Sequence, residues 1–181
     1  GHSSEILKRV KRGRLFAFDQ DSKAIEFSSK KLKEIGDNFE IINSNFVHIK
    51  DELEKRNVKE VDGILFDLGV SSPQLDESDR GFSYHMDARL DMRMNQNQEL
   101  SAYEVVNTYS ESDLANIFFK YGEEKYSKRV AKGIIAKRPL LTTFELKSAI
   151  TEVVDKINKK IEKFWTLLTK LICLDKCLLT N

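Results

Sequence analysis

Two short apolar runs end on an aspartate, and the residues around them alternate between strand-like and helix-like spacing. GRLFAFD (13–19) and VDGILFDLG (61–69) are nearly continuous in apolar character, as strands buried on both faces are. FEIIN (39–43) reads as another strand between them. Ala24, Phe27, Leu32 and Ile35 recur at helical spacing after the first run, and Gly36 follows as a C-cap. A short helix capped by Ser3 or Ser4 and reaching Val10 precedes the first strand. Buried-type strands alternating with helices predict an α/β fold on a parallel sheet.

The pattern then changes twice. Residues 69–95 form an irregular stretch containing SSPQLD, RGFSY and DARLDMRMN. Loops beyond ~12–15 residues are usually functional or disordered, and the Phe, Tyr, Met and Leu content here argues for order. The stretch follows the carboxyl end of a predicted strand, where open α/β sheets place their ligand crevice. From Ser101 the spacing is purely helical, with segments near 102–107, 112–121, 124–137 and 143–159, and Ser112 and Thr143 as N-caps. Residues 161–181 differ again: they hold the single Trp and both Cys, and their Leu and Ile spacing suits an amphipathic helix.

Charge follows the same division. The chain of 181 residues has a net charge of +1, from 30 Lys and Arg against 29 Asp and Glu. Residues 1–119 carry 16 basic against 22 acidic side chains, and residues 120–163 carry 12 against 6. An acidic body joined to a basic segment points to a polyanionic partner for the second half, although solvated helix faces produce similar runs. An apolar content of 40% suits one domain, or one with a small subdomain, and excludes general disorder. Cys173 and Cys177 make neither a disulfide framework nor a four-ligand zinc site, and His48 and His85 lack partners at ligand spacing, so no metal is expected. The opening GHSSEILKRV has no apolar signal region, and no run approaches the ~18 apolar residues of a membrane span. The expected setting is reduced and cytoplasmic.

Asp19 lies 18 residues after Gly1, close to the ~20-residue gap between a glycine turn and a ribose-binding acid. A carboxylate at that strand end can accept hydrogen bonds from both ribose hydroxyls of an adenosine-containing cofactor. It can equally be an ordinary solvated strand-end acid. Spacing does not separate NAD from S-adenosylmethionine.

DGILFDLGVSSPQLD (62–76), followed by RGFSY (80–84) and LDMRMN (90–95), closely resembles the RsmH/MraW family. The opening GHS resembles the end of that family's GGHS turn, GRLFAFDQD its ribose-acid strand, and YGEEKYSKRVAKGI (121–134) its helical subdomain. The resemblance covers roughly residues 1–150 and implies an S-adenosyl-L-methionine-dependent methyltransferase. The implied substrate is the 4-amino group of one cytidine in 16S ribosomal RNA of the small subunit. The implied fold is a Rossmann-like methyltransferase fold with an inserted all-helical subdomain. On that reading residues 1–100 are a partial cofactor-binding domain, 101–160 a helical substrate-recognition subdomain, and 161–181 an atypical tail.

The resemblance places Gly1 and His2 beside the methionine part of the cofactor, Asp19 at the ribose and Phe46 near the adenine, with Asp67 and Gln74 completing the site. Read as residues alone, His2 starts a helix, Phe46 is core and Gln74 is a turn residue after Pro73. Asp67 carries more, because an acid ending an apolar strand is costly without a partner. A cytosine 4-amino group is a poor nucleophile, since its lone pair is delocalised into the ring. An acceptor drawing on the amine hydrogens would help, and Asp67 or a carbonyl of residues 68–73 stands where related enzymes place one. Asp67 as a purely cofactor-binding group fits equally. A base in folded RNA must be splayed out to react. Arg80, Phe82, Tyr84 and Arg93 suit stacking and phosphate contact, and Lys125, Lys128, Arg129, Lys132, Lys137 and Arg138 suit an electrostatic footprint or a solvated helix face.

Arg89 stands where the family usually has Pro, and Asn95 where it usually has Asp. The family's first strand, central between the runs at 13–19 and 61–69, falls before Gly1, and its last strands fall beyond the helical subdomain. The expectation is therefore an incomplete version of the fold. The alternative to an rRNA cytidine methyltransferase is an inactive, truncated remnant, at most a non-catalytic RNA-binding module. A nicotinamide dehydrogenase comes third, and the 62–76 loop speaks against it.

Overall fold

The computed structural model describes residues 1–121 and 124–154, so the predicted tail at 161–181 and residues 155–159 of the last predicted helical segment lie outside the described residues. The chain divides into two compact units. One comprises Gly1–Phe66 with Met94–Gln96, the other Asp67–Arg93 and the residues from Asn97 onward.

The first unit runs α1 (His2–Arg9), β1 (Leu15–Asp19), α2 (Ser22–Lys33), β2 (Phe39–Asn43), a 3-10 turn (Phe46–His48) and α3 (Ile49–Glu54). The two strands pair in parallel, from Leu15 opposite Phe39 to Asp19 opposite Asn43. A parallel pair needs a crossover, and α2 supplies it. Asp21 starts that helix by accepting the Lys23 N–H at 3.1 Å. The helix stops at Lys33, earlier than its apolar spacing suggests, and the Gly36 N–H closes on the Leu32 carbonyl at 3.2 Å. Leu7, Leu32 and Ile42 are the buried apolar side chains here, so the core is thin and the β1 side chains are at best half-buried. Polar ties supplement it. Asn38 donates to the carbonyls of Val10 at 2.7 Å and Gly13 at 2.9 Å. Arg56 bridges Glu40 of β2 at 2.6 Å and Glu52 of α3 at 2.7 Å.

The strand expected over 61–69 does not form. The segment is unpaired and exposed, with Ile64, Leu65 and Phe66 each more than half accessible. An apolar run becomes a strand only when a neighbour takes its backbone hydrogen bonds. Among the described residues the sheet holds β1 and β2 alone. The strand that the resemblance places between β1 and this segment is not among them.

The second unit contains α4 (Ser72–Asp76), a 3-10 turn (Ser78–Arg80), α5 (Ala102–Thr108), α6 (Glu111–Lys120), α7 (Ser127–Ala136) and α8 (Thr143–Val154). Its core is substantial: α7 packs on both α6 and α8, burying Leu114, Ile117, Phe118, Val130, Ile134, Leu146 and Ile150. At Gly133 a Cβ would stand 2.5 Å from the Val153 side chain, so the absence of one lets α8 approach α7.

Three predicted caps are corrected. Ser3 and Ser4 lie within α1, which begins after Gly1 and has no side-chain cap. Ser110, not Ser112, caps α6 by accepting the Asp113 N–H at 3.1 Å. At α8 the Thr142 hydroxyl accepts the Glu145 N–H at 3.3 Å while Glu145 accepts the Thr142 N–H, a capping box one residue before Thr143. The Thr143 hydroxyl instead donates to the Met86 carbonyl at 2.7 Å and accepts the Ala88 N–H at 3.0 Å. That bond, with an antiparallel bridge between Arg89 and Thr142, straps the irregular stretch onto the helices.

Candidate functional site

In the first unit Asp19 ends β1, Phe46 follows β2, and Gly1 and His2 start α1. Asp19 is exposed, with its Oδ1 accepting the Asp21 N–H at 2.9 Å. Surrounding groups nevertheless displace water from this carboxyl and raise its pKa above the ordinary carboxylate value, and the Asp21 charge adds to the rise. The N–H groups of Asp21 and Gln20 oppose it. A carboxylate offers about four lone-pair directions, so acceptor capacity remains for a ribose diol. The Asp19 carbonyl takes the Ser44 N–H at 3.1 Å, and Asn45 donates to the Gln20 side chain at 3.2 Å. These bonds lock the residues after β1 to those after β2.

Phe46 follows directly. Asn45 caps its 3-10 turn, and Phe66 meets the ring edge-on at a centroid distance of 6.1 Å. The ring is half-buried, neither core nor fully open. An acidic acceptor and an aromatic face at adjacent strand ends suit an adenosine: the acid for the ribose, the ring for the base. Gly1 and His2 lie at the start of α1, which packs on β1 and α2, and both are exposed. A Cβ at Gly1 would meet nothing within 4 Å, so local packing sets no demand for glycine there. Gln20 and Asn45 carry no sequence motif. Their signal is position: each is a polar side chain within two residues of a strand's carboxyl end.

Asp67 and Gln74 belong to the second unit. Asp67 is exposed on the unpaired segment. Gln74 is buried, and its Oε1 accepts the Ser71 N–H at 3.0 Å, so it organises the start of α4 as part of a capping box.

The residues taken from the irregular stretch for RNA contact turn largely inward. Phe82 is 1% exposed and Arg80 3%. The Arg80 guanidinium lies 5.7 Å from the Phe82 ring and donates to the Arg93 carbonyl at 3.0 Å. Arg93 grips Asp91 with both arms of its guanidinium and donates to the Gln98 carbonyl at 2.8 Å. Stacking and phosphate contact need an open side chain, so burial assigns Arg80 and Phe82 to the core instead, and Arg93 to an internal clasp. Tyr84 stays half-open, tilted against His85 with Lys147 5.7 Å above its ring.

The basic helix divides by face. Ser127, Val130, Ala131 and Ile134 of α7 are buried, which turns Lys128, Arg129 and Lys132 outward. None of these three makes an ion pair among the described residues, and Lys125 is exposed beside them. Lys137 pairs with Glu152. Arg138 donates to the carbonyls of Val106 and Tyr109, both at 2.6 Å, closing the C-terminal end of α5. Burial lowers its pKa, as desolvation of a cation must. Of the basic side chains predicted for an electrostatic footprint, Lys125, Lys128, Arg129 and Lys132 are thus the ones that stand exposed without an ion pair among the described residues.

Among the described residues no group of three or more His, Cys, Asp or Glu side chains could hold a metal ion, and no helix is long and apolar enough to cross a membrane.

A model of the MraW methylase family matches residues 1–168. The ribosomal RNA small subunit methyltransferase H of Mycoplasmopsis agalactiae is 59% identical over 150 residues, covering 83% of this chain and 50% of that protein. The protein of the same name from Exiguobacterium sibiricum is 56% identical over 157 residues, covering 85% of this chain and 50% of the relative. The chain thus spans about half the length of these curated relatives. A family match over most of the sequence and identities above one half lead to one assignment: the chain belongs to the MraW methylase family.

Proposed function

We propose that this chain is the cofactor-binding and RNA-recognition part of an S-adenosyl-L-methionine-dependent methyltransferase acting in the cytoplasm on 16S ribosomal RNA. The reaction is transfer of a methyl group to the N4 amine of one cytidine. The carrying observation is the parallel β1-α2-β2 unit, with the Asp19 carboxylate ending β1 and Phe46 in the turn that follows β2. The names of the relatives support an rRNA methyltransferase. The fold is read as an incomplete Rossmann-like methyltransferase with a helical insertion, the cofactor residues in 1–100 and the substrate helices in 101–160.

Asp19 would hold the ribose hydroxyls and Phe46 would cover one face of the adenine. Gly1 and His2 would border the methionine part, and the resemblance carries Asp67 and Gln74 over as further cofactor residues. The cofactor supplies an electrophilic methyl on a positive sulfonium. Asp67 accepts a hydrogen bond from the cytosine amine, raises its lone-pair character and takes up the proton released on transfer. Orientation of amine and methyl supplies much of the remaining acceleration. Lys128, Arg129 and Lys132 neutralise RNA phosphates, and Tyr84 contributes a half-open ring.

Transfer of labelled methyl from S-adenosylmethionine to isolated small ribosomal subunits tests this reading. Label at N4 of a single cytidine, lost in Asp67→Ala, is the expected result. Label on another base would overturn it. Cofactor binding without transfer would favour the non-catalytic RNA-binding module, which has less support because the relatives are named as methyltransferases.

A further inference from the structure

We propose that the cleft between α6 and the start of α7 is a stacking subsite for an unpaired base of single-stranded RNA, with Lys125, Lys128 and Arg129 on the flanking phosphates. The proposal rests on the RNA reading above and assigns it a place and a mode of contact. The cleft holds about 460 Å³, within the range of ligand pockets, and Phe119, Lys125, Tyr126, Lys128 and Arg129 line it with Asn116. Among the described residues no acidic side chain lines it.

Helical geometry separates the neighbouring phenylalanines of α6. Phe118 points into the core at 1% exposure, whereas Phe119 is 64% exposed at the cleft. Tyr126, exposed at 36%, stands at the N-terminal edge of α7 with the Arg129 guanidinium 5.8 Å from its ring. The Tyr126 backbone is fixed: its N–H donates to the fully buried Glu124 carboxylate at 2.8 Å, and the Arg129 N–H donates to its carbonyl at 2.9 Å. Two open rings on a fixed backbone, bordered by three cations, match what a single strand presents: an apolar π-face and negative charge on either side. Base–aromatic stacking tolerates any sequence and gains from a neighbouring arginine. A protein partner would need an apolar patch core depleted of charge, which a cleft lined by three cations does not offer.

The test uses the 181-residue chain and fluorescence anisotropy, with a labelled single-stranded oligoribonucleotide and an abasic oligonucleotide of equal length and charge. Preference for the oligonucleotide with bases is expected, with roughly 5- to 100-fold weaker binding to it in Phe119→Ala and in Tyr126→Ala. Tyr126→Phe should retain the preference. Both alanine variants should leave binding to the abasic strand and the circular dichroism spectrum unchanged, because both side chains are exposed. Lys128→Ala should weaken both ligands alike and lower the salt slope by about 0.7. Equal affinity of the wild-type chain for both ligands overturns the stacking subsite and leaves the RNA reading standing. A base preference that survives both alanine variants places stacking elsewhere and overturns this cleft. Absence of binding to either ligand at low salt overturns the cleft and the RNA reading together.

Discussion

Arg93 holds Asp91 in a two-armed grip, Nη2 to Oδ2 at 2.7 Å and Nε to Oδ1 at 3.0 Å, across a single intervening residue. So short a span is possible because Met92 adopts a left-handed conformation, φ 58°, which folds the chain back on itself. The backbone takes part as well: the Arg93 N–H reaches the same carboxylate at 3.0 Å, and the carbonyls of Asp91 and Leu90 accept the first N–H groups of α5. The clasp thereby seats Leu90 and Met92, both fully buried, against the helices.

Asp91→Ala should destabilise the second unit by about 2–4 kcal/mol, since it leaves a partly buried guanidinium without its carboxylate. Urea unfolding followed at 222 nm measures this. Loss of helical signal at lower urea is expected, whereas an unchanged midpoint would remove the clasp from the account.

The same clasp predicts the acid limb of stability. Burial pushes the Asp91 carboxyl up, but the hydrogen bonds and charge of Arg93, with the charge of Arg80, hold it below the ordinary carboxylate value. Glu104 is likewise lowered: the Ser101 hydroxyl and N–H and the Arg93 charge outweigh its burial. A folded-state pKa depressed below the unfolded one contributes stability that is complete above the unfolded value and is lost as pH falls through the folded value. Stability should therefore fall steeply below pH ~4. Asp91→Asn should lower the neutral plateau and flatten that fall, as thermal melts across pH would show.

Gly81→Ala tests the close approach beneath the RGFSY turn. Gly81 has φ +69°, and a Cβ there would lie 2.5 Å from the Arg89 carbonyl oxygen, a backbone atom that cannot swing aside. The left-handed conformation and the overlap together should cost about 2–4 kcal/mol. Thermal unfolding measures it, and a melt equal to wild type would contradict the geometry.

Asp19 has the opposite sign. Its raised pKa means that the folded chain binds the proton more readily than the unfolded chain, so the ionised form lowers stability at neutral pH and stability recovers as pH falls through the raised value. Asp19→Asn keeps an oxygen for the Asp21 N–H and removes the charge. A small rise in melting temperature at pH 7 with loss of cofactor affinity is expected. A fall in melting temperature would place Asp19 among the structural residues.

Local signals in the sequence carried well where local physics decides. β2 forms over the five residues of FEIIN, and β1 ends on the expected Asp19, because each run carries its own apolar pattern and stop. The 61–69 run has the same pattern and no pairing, since a strand's hydrogen bonds come from a partner distant in sequence. Burial in the irregular stretch was equally non-local. RGFSY reads as a surface loop until Thr143, fifty-seven residues beyond Met86, ties it into the helical core. The α6 and α8 caps were misplaced by two residues and one, because neighbouring hydroxyls are interchangeable in sequence and only the backbone turn chooses between them. Asp19 is legible as a strand-end acid, whereas Phe46 reads as core on its pattern and stands half-buried after β2. The Phe119 and Tyr126 cleft was not legible, because an aromatic at helical spacing reads as core until its exposure is known.

Calorimetric titration of the chain with S-adenosylmethionine, wild type beside Asp19→Asn, tests the central claim most directly. Saturable heat at one cofactor per chain in the wild type, absent in the folded variant, is the predicted result. No saturable heat in the wild type, or equal heat in both proteins, would contradict a cofactor site built on the end of β1.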